Sequence, residues 1–509
     1  MRELFARPWA IPALLAFAAL VVSVWIFDPK LGPSGDNTEF VTLARSMAAG
    51  EGLTYTHLPE PRPTTKYPFG FPLLLAPIAA IFGAWEGPGS GTPDWIAMKV
   101  LVVVTFIAAI LFCYLLARQQ AGTGVGVATA LLVMTNPLVA SYGHQVMSEV
   151  PYIMASLAAL WMLERGIAMD GWRDNRYLWA GIALAIASYY LRSVGLVLVG
   201  ATVATLLLRR DWQRSLLLGG SFVAAMLPLV LRNHAVGGGG FYLRQLMQVN
   251  PYFPDRGYLD ATGLWNRIQH HFNYYLKGSL AEALWPVLPG GDHFLNLGSI
   301  VVIGITGAAV YLCWRRQQHL LLLIYTVFTT GTVMLWPWAG NRFFLPAIPV
   351  ALFLGLRVIQ AVMEWAAQRL GVRSTVFGIA AVAVVLAGNL RELSHIAESS
   401  RRDYAPEWRN YLDAGLWLRA NTPSETVVAC RKAFWMHVVS GRRTTVYAFK
   451  PSAELIADLT VKGVSHVVYE QLGFRSTRQF LFPALEEYKD RFEVKWLQPT
   501  PQTVVLSFR

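Results

Sequence analysis

Six ionisable residues of this chain are of the types that handle a phosphate-linked substrate. They are three carboxylates and three cations, each beside an apolar run: Asp36, Glu39, Glu149, Lys66, Arg192 and Arg342. Cations bind a phosphate group, while a carboxylate takes a proton from an acceptor hydroxyl. An ionisable group close to hydrocarbon is costly, which favours a functional role. The pattern predicts a site for a lipid phosphate at one membrane surface, with Tyr67 and His144 as further candidates.

Each candidate also has a purely structural explanation, which the sequence leaves open. Asp36 could be the N-cap of a helix over 38–49, with Glu39 completing a capping box. Lys66 and Arg342 could be interface residues whose charged ends reach the water. Arg192 could be a cation paired for structural reasons, and Glu149 could interact with a helix dipole. His144 could be a polar loop residue.

The distribution of charge divides the chain into two regions. Charged residues make up only 15% of the 509 residues, and hydrophobic residues make up 54%. Residues 1–390 hold 26 Lys/Arg and 18 Asp/Glu (44 of 390), whereas 391–509 hold 17 and 13 (30 of 119). The sequence therefore predicts a membrane domain over 1–390 and a water-facing domain over 391–509. The net charge of +12 comes mostly from arginines between apolar runs, so no nucleic-acid partner is predicted.

Apolar runs of about 20 residues predict membrane-spanning helices. Nine are clear: 8–27, 95–117, 123–141, 149–168, 215–232, 297–314, 319–337, 342–364 and 374–390. The run 177–208 is too long for one span and has Arg192 at its middle, so it divides into two. The run 70–84 is too short to cross and is predicted to be juxtamembrane or re-entrant.

Eleven spans with a cytoplasmic N-terminus agree with the positive-inside rule. All the arginine-rich short loops then lie inside, at Arg118, Arg165, Arg209, Arg315 and Arg369. Two long loops, 28–94 and 233–296, and the C-terminal domain then lie outside. Strand and helix patterns alternate over 406–508, which predicts a small α/β domain. The long loop 233–296 is rich in aromatic residues, which indicates either a sugar-stacking surface or a helix in the membrane interface.

Four short motifs resemble those of the GT-C membrane glycosyltransferases. In chain order they are G-D-x-x-E at 35–39, K-Y-P-x-G-x-P at 66–72, S-E-x-P at 148–151 and N-R-F-x-L-P at 341–346. The branch resembled contains the protein O-mannosyltransferases and the bacterial lipid A aminoarabinose transferases. The sequence departs from the patterns of relatives in two ways. The tandem Asp-Glu of eukaryotic protein mannosyltransferases is missing, because Asn37 follows Asp36, and the W-W-D-Y-G signature of oligosaccharyltransferases is absent. The resemblance covers residues 1–390.

The resemblance implies a sugar donor carried on a polyprenyl phosphate and an inverting single displacement. It places Asp36 at the catalytic acidic position and Glu149 at the second acidic position. It places Lys66 at the basic position that contacts the lipid phosphate in the aminoarabinose transferases, and Arg342 at the basic position of the late R-[YF]-x-L-P motif. Arg192 lies where relatives often carry a lysine or an arginine. The implied location is the bacterial inner membrane, with the site and the C-terminal domain on the periplasmic side and an extracytoplasmic acceptor: a lipid, a glycan or a protein.

Three points remain open from the sequence. A divalent metal between Asp36 and Glu149 is an alternative, but with so few carboxylates no cofactor is assumed. A transporter or flippase is the main rival function, and it would place charges near the middle of the membrane. A non-catalytic membrane scaffold is the second rival.

Overall fold

The computed structural model describes residues 7–33, 35–238, 240–288, 296–316, 318–370 and 374–509. Up to residue 401, nearly all the regular secondary structure of the described residues is helical. Sixteen helices occur there: α1 (Ala10–Ile26), α2 (Gly35–Ala48), α3 (Gly70–Phe82), α4 (Asp94–Thr135), α5 (Pro137–Tyr142), α6 (Glu149–Ala168), α7 (Arg176–Leu191), α8 (Gly195–Leu208), α9 (Trp212–Ala235), α10 (Phe241–Met247), α11 (Ala261–Tyr274), α12 (Leu280–Leu284), α13 (Leu297–Arg316), α14 (Leu320–Leu335), α15 (Ile348–Leu370) and α16 (Ser374–Arg401). A short hairpin of β1 (Thr54–Tyr55) and β2 (Arg62–Pro63) follows α2.

Helices form at all the apolar runs that predicted them. Within the described residues, five stretches are long and apolar enough to cross a membrane: Asp94–Thr135, Trp212–Ala235, Leu297–Arg315, Asn341–Arg369 and Gly378–Asn421. Four shorter apolar helices accompany them: α1, α3, α8 and α14. These helices agree with a polytopic membrane protein, while the number of eleven crossings stays a prediction.

Helix α4 contains two segments that reverse direction at Gly122. Gly122 has φ 84° and ψ 174°, which lies outside the helical region and favours glycine. Four residues later, a Cβ on Gly126 would lie only 3.0 Å from the Cβ of Arg118. Residues eight apart in a straight helix are separated by about 12 Å, so the chain must fold back here. The two segments therefore correspond to the two predicted spans 95–117 and 123–141.

Helix α3 is short, as its sequence predicted, and is held against the turn that follows α7. At 13 residues it extends for about 20 Å, less than the roughly 30 Å of hydrocarbon in a bilayer. A Cβ on Gly70 would lie 2.5 Å from the carbonyl oxygen of Tyr190. Only glycine permits this approach, which brings the segment before α3 close to the α7–α8 turn. Arg192 is the residue at that turn, and its backbone is extended.

The long loop 233–296 contains helices α10, α11 and α12, and residues 239 and 289–295 lie outside the described part. Trp265 and Phe272 of α11 are 58% and 49% exposed. Trp285, by contrast, is buried, and the Tyr275 hydroxyl donates to the Gly340 carbonyl oxygen over 2.8 Å. The exposed aromatic residues of α11 fit a helix in the membrane interface.

The C-terminal region forms an α/β unit around a five-stranded sheet. Its strands are β3 (Val427–Ala429), β4 (Arg443–Thr445), β5 (His466–Tyr469), β6 (Phe492–Pro499) and β7 (Gln502–Phe508), and its helices are α17 (Pro406–Asn421), α18 (Ala433–Ser440), α19 (Ser452–Val461) and α20 (Phe482–Glu487). The strand order is β4-β3-β5-β7-β6, parallel over the first three strands and antiparallel over the last three. This alternation of strands and helices agrees with the patterns that the sequence shows over 406–508. The predicted boundary at 390/391 falls within α16, so the division into two domains stays a prediction.

Helix α18 packs the C-terminal region onto the loop that follows α1. The Thr444 amide donates to the His57 carbonyl oxygen over 2.6 Å, and the Arg443 guanidinium donates to the Pro59 carbonyl oxygen over 2.8 Å. The rings of Phe434 and His57 lie 3.9 Å apart. The β1–β2 hairpin and the C-terminal sheet are therefore joined by backbone hydrogen bonds and ring contacts.

The orientation in the membrane can be tested by cysteine labelling. The native residues Cys113, Cys313 and Cys430 are buried, so they should give little background. We expect an impermeant maleimide to label Glu60→Cys, Asp255→Cys and Lys450→Cys in right-side-out vesicles. The matched control is Asp170→Cys, in a loop predicted to be cytoplasmic, which should react only after permeabilisation. Labelling of Asp255→Cys only after permeabilisation would contradict the eleven-span topology.

Candidate functional site

Five separate segments bring six charged residues together. Asp36 and Glu39 lie in the first turns of α2, Lys66 precedes α3, Glu149 begins α6, Arg192 ends α7, and Arg342 lies in a 3-10 turn, Asn341–Ala347, before α15. We call these six residues the charged cluster. Tyr67 joins them, whereas the last candidate, His144, does not. All the sequence-predicted site residues except His144 thus meet in one place, although their roles stay predictions.

Asp36 contacts residues from two distant segments. Its Oδ2 accepts a hydrogen bond from Arg342 Nη2 over 2.7 Å, and its Oδ1 accepts one from the Tyr67 hydroxyl over 3.1 Å. Lys66 Nζ lies 3.8 Å from Oδ1. Because α2 begins at Gly35, Asp36 lies within its first turn, and its carboxylate is used in these contacts. The N-cap explanation of Asp36 is therefore wrong.

Glu39 lies one helical turn further on and pairs with Lys66. The Lys66 ammonium donates to Glu39 Oε2 over 2.6 Å, and the Tyr55 hydroxyl donates to Glu39 Oε1. The Tyr67 hydroxyl also lies 3.3 Å from Oε2. With this set of partners, Glu39 joins the β1–β2 hairpin to the segment that carries Lys66.

Glu149 is enclosed by the two arginines. Arg192 Nη1 lies 3.0 Å from Glu149 Oε1, and Arg342 Nε donates to the same oxygen. Arg192 Nη1 also donates to the Ser148 hydroxyl over 3.1 Å. The Glu149 side chain is completely buried, and Oε2 has no hydrogen-bond partner within the described part of the chain. Burying a carboxylate without a paired cation would be strongly destabilising. The two arginines therefore compensate the buried charge of Glu149.

The charged cluster is electrically balanced and open on one side. Its three carboxylates and three cations sum to zero, with each carboxylate in contact with at least one cation. Exposure is uneven: Glu149 is fully buried, whereas the Asp36 and Lys66 side chains are 28% and 31% exposed. A ligand that enters would therefore meet Asp36, Lys66 and the half-buried arginines first.

Charge in the cluster changes how readily Asp36 and Lys66 ionise. Burial would raise the pKa of Asp36, but Lys66 and Arg342 outweigh it and lower the pKa to about 2. Burial would likewise lower the pKa of Lys66, but Glu39 and Asp36 raise it above the usual lysine value. Both groups are therefore charged at neutral pH, and the free carboxylate of Asp36 is a weak base.

His144 lies apart from the charged cluster. Its ring is buried and meets the Phe27 ring edge to face at 6.3 Å. Burial and the nearby Lys99 lower its pKa to about 4, so the imidazole is neutral at neutral pH. These surroundings agree with a structural role for His144.

Several residues near the charged cluster lie in no sequence motif that would have marked them as neighbours of the site. The Tyr142 ring lies under Arg342, with the guanidinium carbon 6.0 Å from its centre. Arg232 donates to the carbonyl oxygens of Thr64 and Leu53 over 2.6 and 3.2 Å, which pins the hairpin that leads to Lys66. Like Tyr55, these side chains are common types in ordinary surroundings, and only their contacts reveal them.

The residues present do not fit the divalent metal considered from the sequence. The Arg342 guanidinium lies between Asp36 and Glu149 and donates to both. Within the described residues, no group of three or more His, Cys, Asp and Glu side chains could hold a metal ion. We therefore assign no metal ion to these carboxylates.

Comparison with known proteins agrees with the motif order found in the sequence. A family model described as dolichyl-phosphate-mannose-protein mannosyltransferase matches residues 66–232. This range contains the second and third motifs, with Lys66 and Glu149, and also Arg192. No curated protein sequence matches the chain.

Three solved structures have a similar fold at low sequence identity. ArnT from Cupriavidus metallidurans, bound to undecaprenyl phosphate, is 14% identical with a TM-score of 0.61, and the match covers 98% of both chains. The oligosaccharyltransferase AglB from Archaeoglobus fulgidus, in complex with an inhibitory peptide and a dolichol-phosphate, is 14% identical with a TM-score of 0.60, covering 97% of this chain and 74% of that one. The arabinofuranosyltransferase AftD from Mycobacteria is 13% identical with a TM-score of 0.50, covering 99% and 40%. The chain therefore shares the fold of these membrane glycosyltransferases, and the family-model match over residues 66–232 agrees with the GT-C resemblance of its motif order.

Proposed function

We propose that the chain is an inverting glycosyltransferase that moves a sugar from a polyprenyl-phosphate donor to an extracytoplasmic acceptor. One observation carries the proposal: a partly exposed carboxylate, Asp36, lies beside two partly exposed cations, Lys66 and Arg342. A displacement at a phosphate-linked sugar needs both kinds of group next to the reacting carbon. The location that we propose is the outer face of a bacterial inner membrane.

The cations would bind the donor phosphate. Lys66 supplies a point charge with three donors, while the planar guanidinium of Arg342 can grip two phosphate oxygens at once. Arg192 lies behind them on Glu149 and adds a third positive charge. Stabilising the phosphate as it gains charge would make the lipid phosphate a good leaving group. The lipid bound to the similar ArnT structure, undecaprenyl phosphate, is of this chemical class.

Asp36 would act on the acceptor. In the proposed step the acceptor oxygen forms a bond to the anomeric carbon while the bond from that carbon to the phosphate oxygen breaks. The acceptor proton passes to Asp36, and the polyprenyl phosphate leaves with the bonding electron pair. Attack from the side opposite the phosphate inverts the anomeric carbon.

Donor binding would also make Asp36 a better base. In the free protein Lys66 and Arg342 hold the pKa of Asp36 near 2, which is too low for efficient proton transfer at neutral pH. A phosphate that recruits the same cations would share their charge, so the pKa of Asp36 should rise. The base would then be activated only when a donor is present.

Glu39 and Glu149 would act as positioning residues. Both are almost fully buried, and each holds cations of the cluster: Glu39 holds Lys66, and Glu149 holds Arg192 and Arg342. A buried carboxylate behind the cations can orient them but cannot reach a substrate without a rearrangement. We therefore assign the proton transfer to Asp36 alone.

The role of Asp36 as the base can be tested by substitution. We expect Asp36→Asn to lower turnover by about 10²–10⁴-fold, because the amide keeps the shape of the side chain but cannot accept the proton. Turnover is measured in nanodiscs with a panel of undecaprenyl-phosphate sugars, by mass spectrometry of released undecaprenyl phosphate. Glu51→Gln is the matched control, since Glu51 is an exposed carboxylate of the same outer loop. Wild-type turnover by Asp36→Asn would refute the assignment.

The proposed phosphate site can be tested by removing its cations. We expect Lys66→Ala and Arg342→Ala each to weaken undecaprenyl phosphate binding by about 1.5–3 kcal/mol, the range for hydrogen bonds to charged groups. The double variant should lose less than the sum, because both cations act on one phosphate. Arg244→Ala, which removes an exposed cation of the other outer loop, is the matched control. Because Arg342 also covers the buried Glu149, thermal unfolding of each variant is measured alongside.

Additive losses below about 0.5 kcal/mol each would contradict the phosphate site and would indicate interface anchors. Arg342→Lys provides a second comparison. If the planar guanidinium grips two phosphate oxygens, lysine at this position should restore only part of the affinity.

A further inference from the structure

We propose that Arg431 and Lys432 of the C-terminal region form a second anion site, which binds a phosphate-bearing group of the acceptor. This inference rests on the proposed function, because an acceptor presupposes transfer. We call the two residues the 431–432 cation pair. They lie between β3, which ends at Ala429, and α18, which begins at Ala433 and packs against α2.

Aromatic rings hold both cations in position. The Arg431 guanidinium carbon lies 4.6 Å from the centre of the Phe474 ring and 5.2 Å from that of Phe449. The Lys432 ammonium lies 4.8 Å from the centre of the same Phe474 ring. Arg431 Nε also donates to the Ser476 hydroxyl over 2.8 Å. Two neighbouring cations are thus oriented on one ring, although like charges repel each other.

The pair has no counterion within the described residues. No carboxylate oxygen there lies within 4.0 Å of either cation, whereas all three cations of the charged cluster have one. The carboxylate of Glu470 is close enough to interact electrostatically with both. It is buried, however, and its oxygens accept hydrogen bonds from the Thr477 hydroxyl and the Leu472 amide. The Glu470 carboxylate is thus engaged by these neutral donors and makes no ion pair with either cation.

The pair lies at the edge of the charged cluster. Lys432 Nζ donates to the carbonyl oxygen of Pro33 over 3.3 Å, three residues before Asp36, and the Asp36 charge acts on Lys432. The Phe434 ring, two residues after Lys432, lies 5.2 Å from the ring of Tyr55, whose hydroxyl donates to Glu39. A group bound by the pair would therefore lie beside the proposed base.

The chemistry of the pair favours a phosphate group. Two half-buried cations without a counterion are costly, and a phosphate monoester or diphosphate supplies up to two negative charges and several acceptor oxygens. The donor phosphate already has the three cations of the charged cluster. A second anion held on the C-terminal side of Asp36 therefore belongs to the acceptor.

The test uses full-length protein in phosphatidylcholine nanodiscs loaded with saturating undecaprenyl phosphate, so that the donor site is filled. Inorganic pyrophosphate is the soluble probe, and nanodiscs that contain phosphatidic acid provide a membrane-borne probe. We expect Arg431→Gln/Lys432→Gln to weaken binding of at least one probe by about tenfold or more, and Lys432→Arg to keep it. Arg478→Gln/Lys489→Gln, which removes two exposed cations of the same region, should change neither probe by more than about twofold.

Undecaprenyl phosphate affinity separates this inference from the proposed function. It should be the same in the wild type and in Arg431→Gln/Lys432→Gln, which also shows that the variant is folded. If neither probe binds the loaded wild type, or if both bind the double variant as well as the wild type, the second anion site is refuted. If undecaprenyl phosphate itself fails to bind the wild type, the proposed donor site fails, and the same two probes on unloaded protein still decide about the cation pair.

Discussion

The arginine shared between two carboxylates is the interaction on which the charged cluster depends. The Arg342 guanidinium donates to Asp36, 306 residues earlier, and to Glu149, 193 residues earlier. Glu149 is fully buried at the start of a helix, where an unpaired carboxylate would be strongly destabilising. The contacts therefore hold α2, α6 and the turn before α15 in a single arrangement. Other contacts, such as Lys66 with Glu39, extend the same network to the β1–β2 hairpin.

Binding of a donor phosphate would exchange partners within this neutral network. Every cation of the charged cluster already has a carboxylate in the free protein, so a phosphate would replace contacts and would not fill an unsatisfied site. In the free protein Lys66 and Arg342 keep the pKa of Asp36 low, and the exchange would remove part of this effect. Asp36 would then accept a proton efficiently only when a donor is bound. The fully buried Glu149 would keep the arginines in position during the exchange.

The C-terminal region contacts the segment between α1 and α4 that carries Asp36. Helix α18 packs against α2, and the Phe434 ring lies on Tyr55, which donates to Glu39. The 431–432 cation pair lies at the end of this chain of contacts. Donor and acceptor groups would thus be recognised by two different parts of the chain that meet at one carboxylate. This arrangement gives the C-terminal region a direct part in the proposed reaction.

The sequence by itself determined where the helices lie and which residues could do chemistry. Apolar runs locate the membrane helices because hydrocarbon tolerates only backbone that is hydrogen-bonded internally, and Arg192 correctly divided the run 177–208. The motif order predicted the GT-C fold and the members of the charged cluster. Only the tertiary structure decided how these residues pair: that Arg342 joins Asp36 to Glu149, that His144 lies elsewhere, and that Tyr55 and the 431–432 cation pair approach the site. Pairing depends on contacts between residues hundreds of positions apart, and local periodicity and spacing carry no information about such contacts.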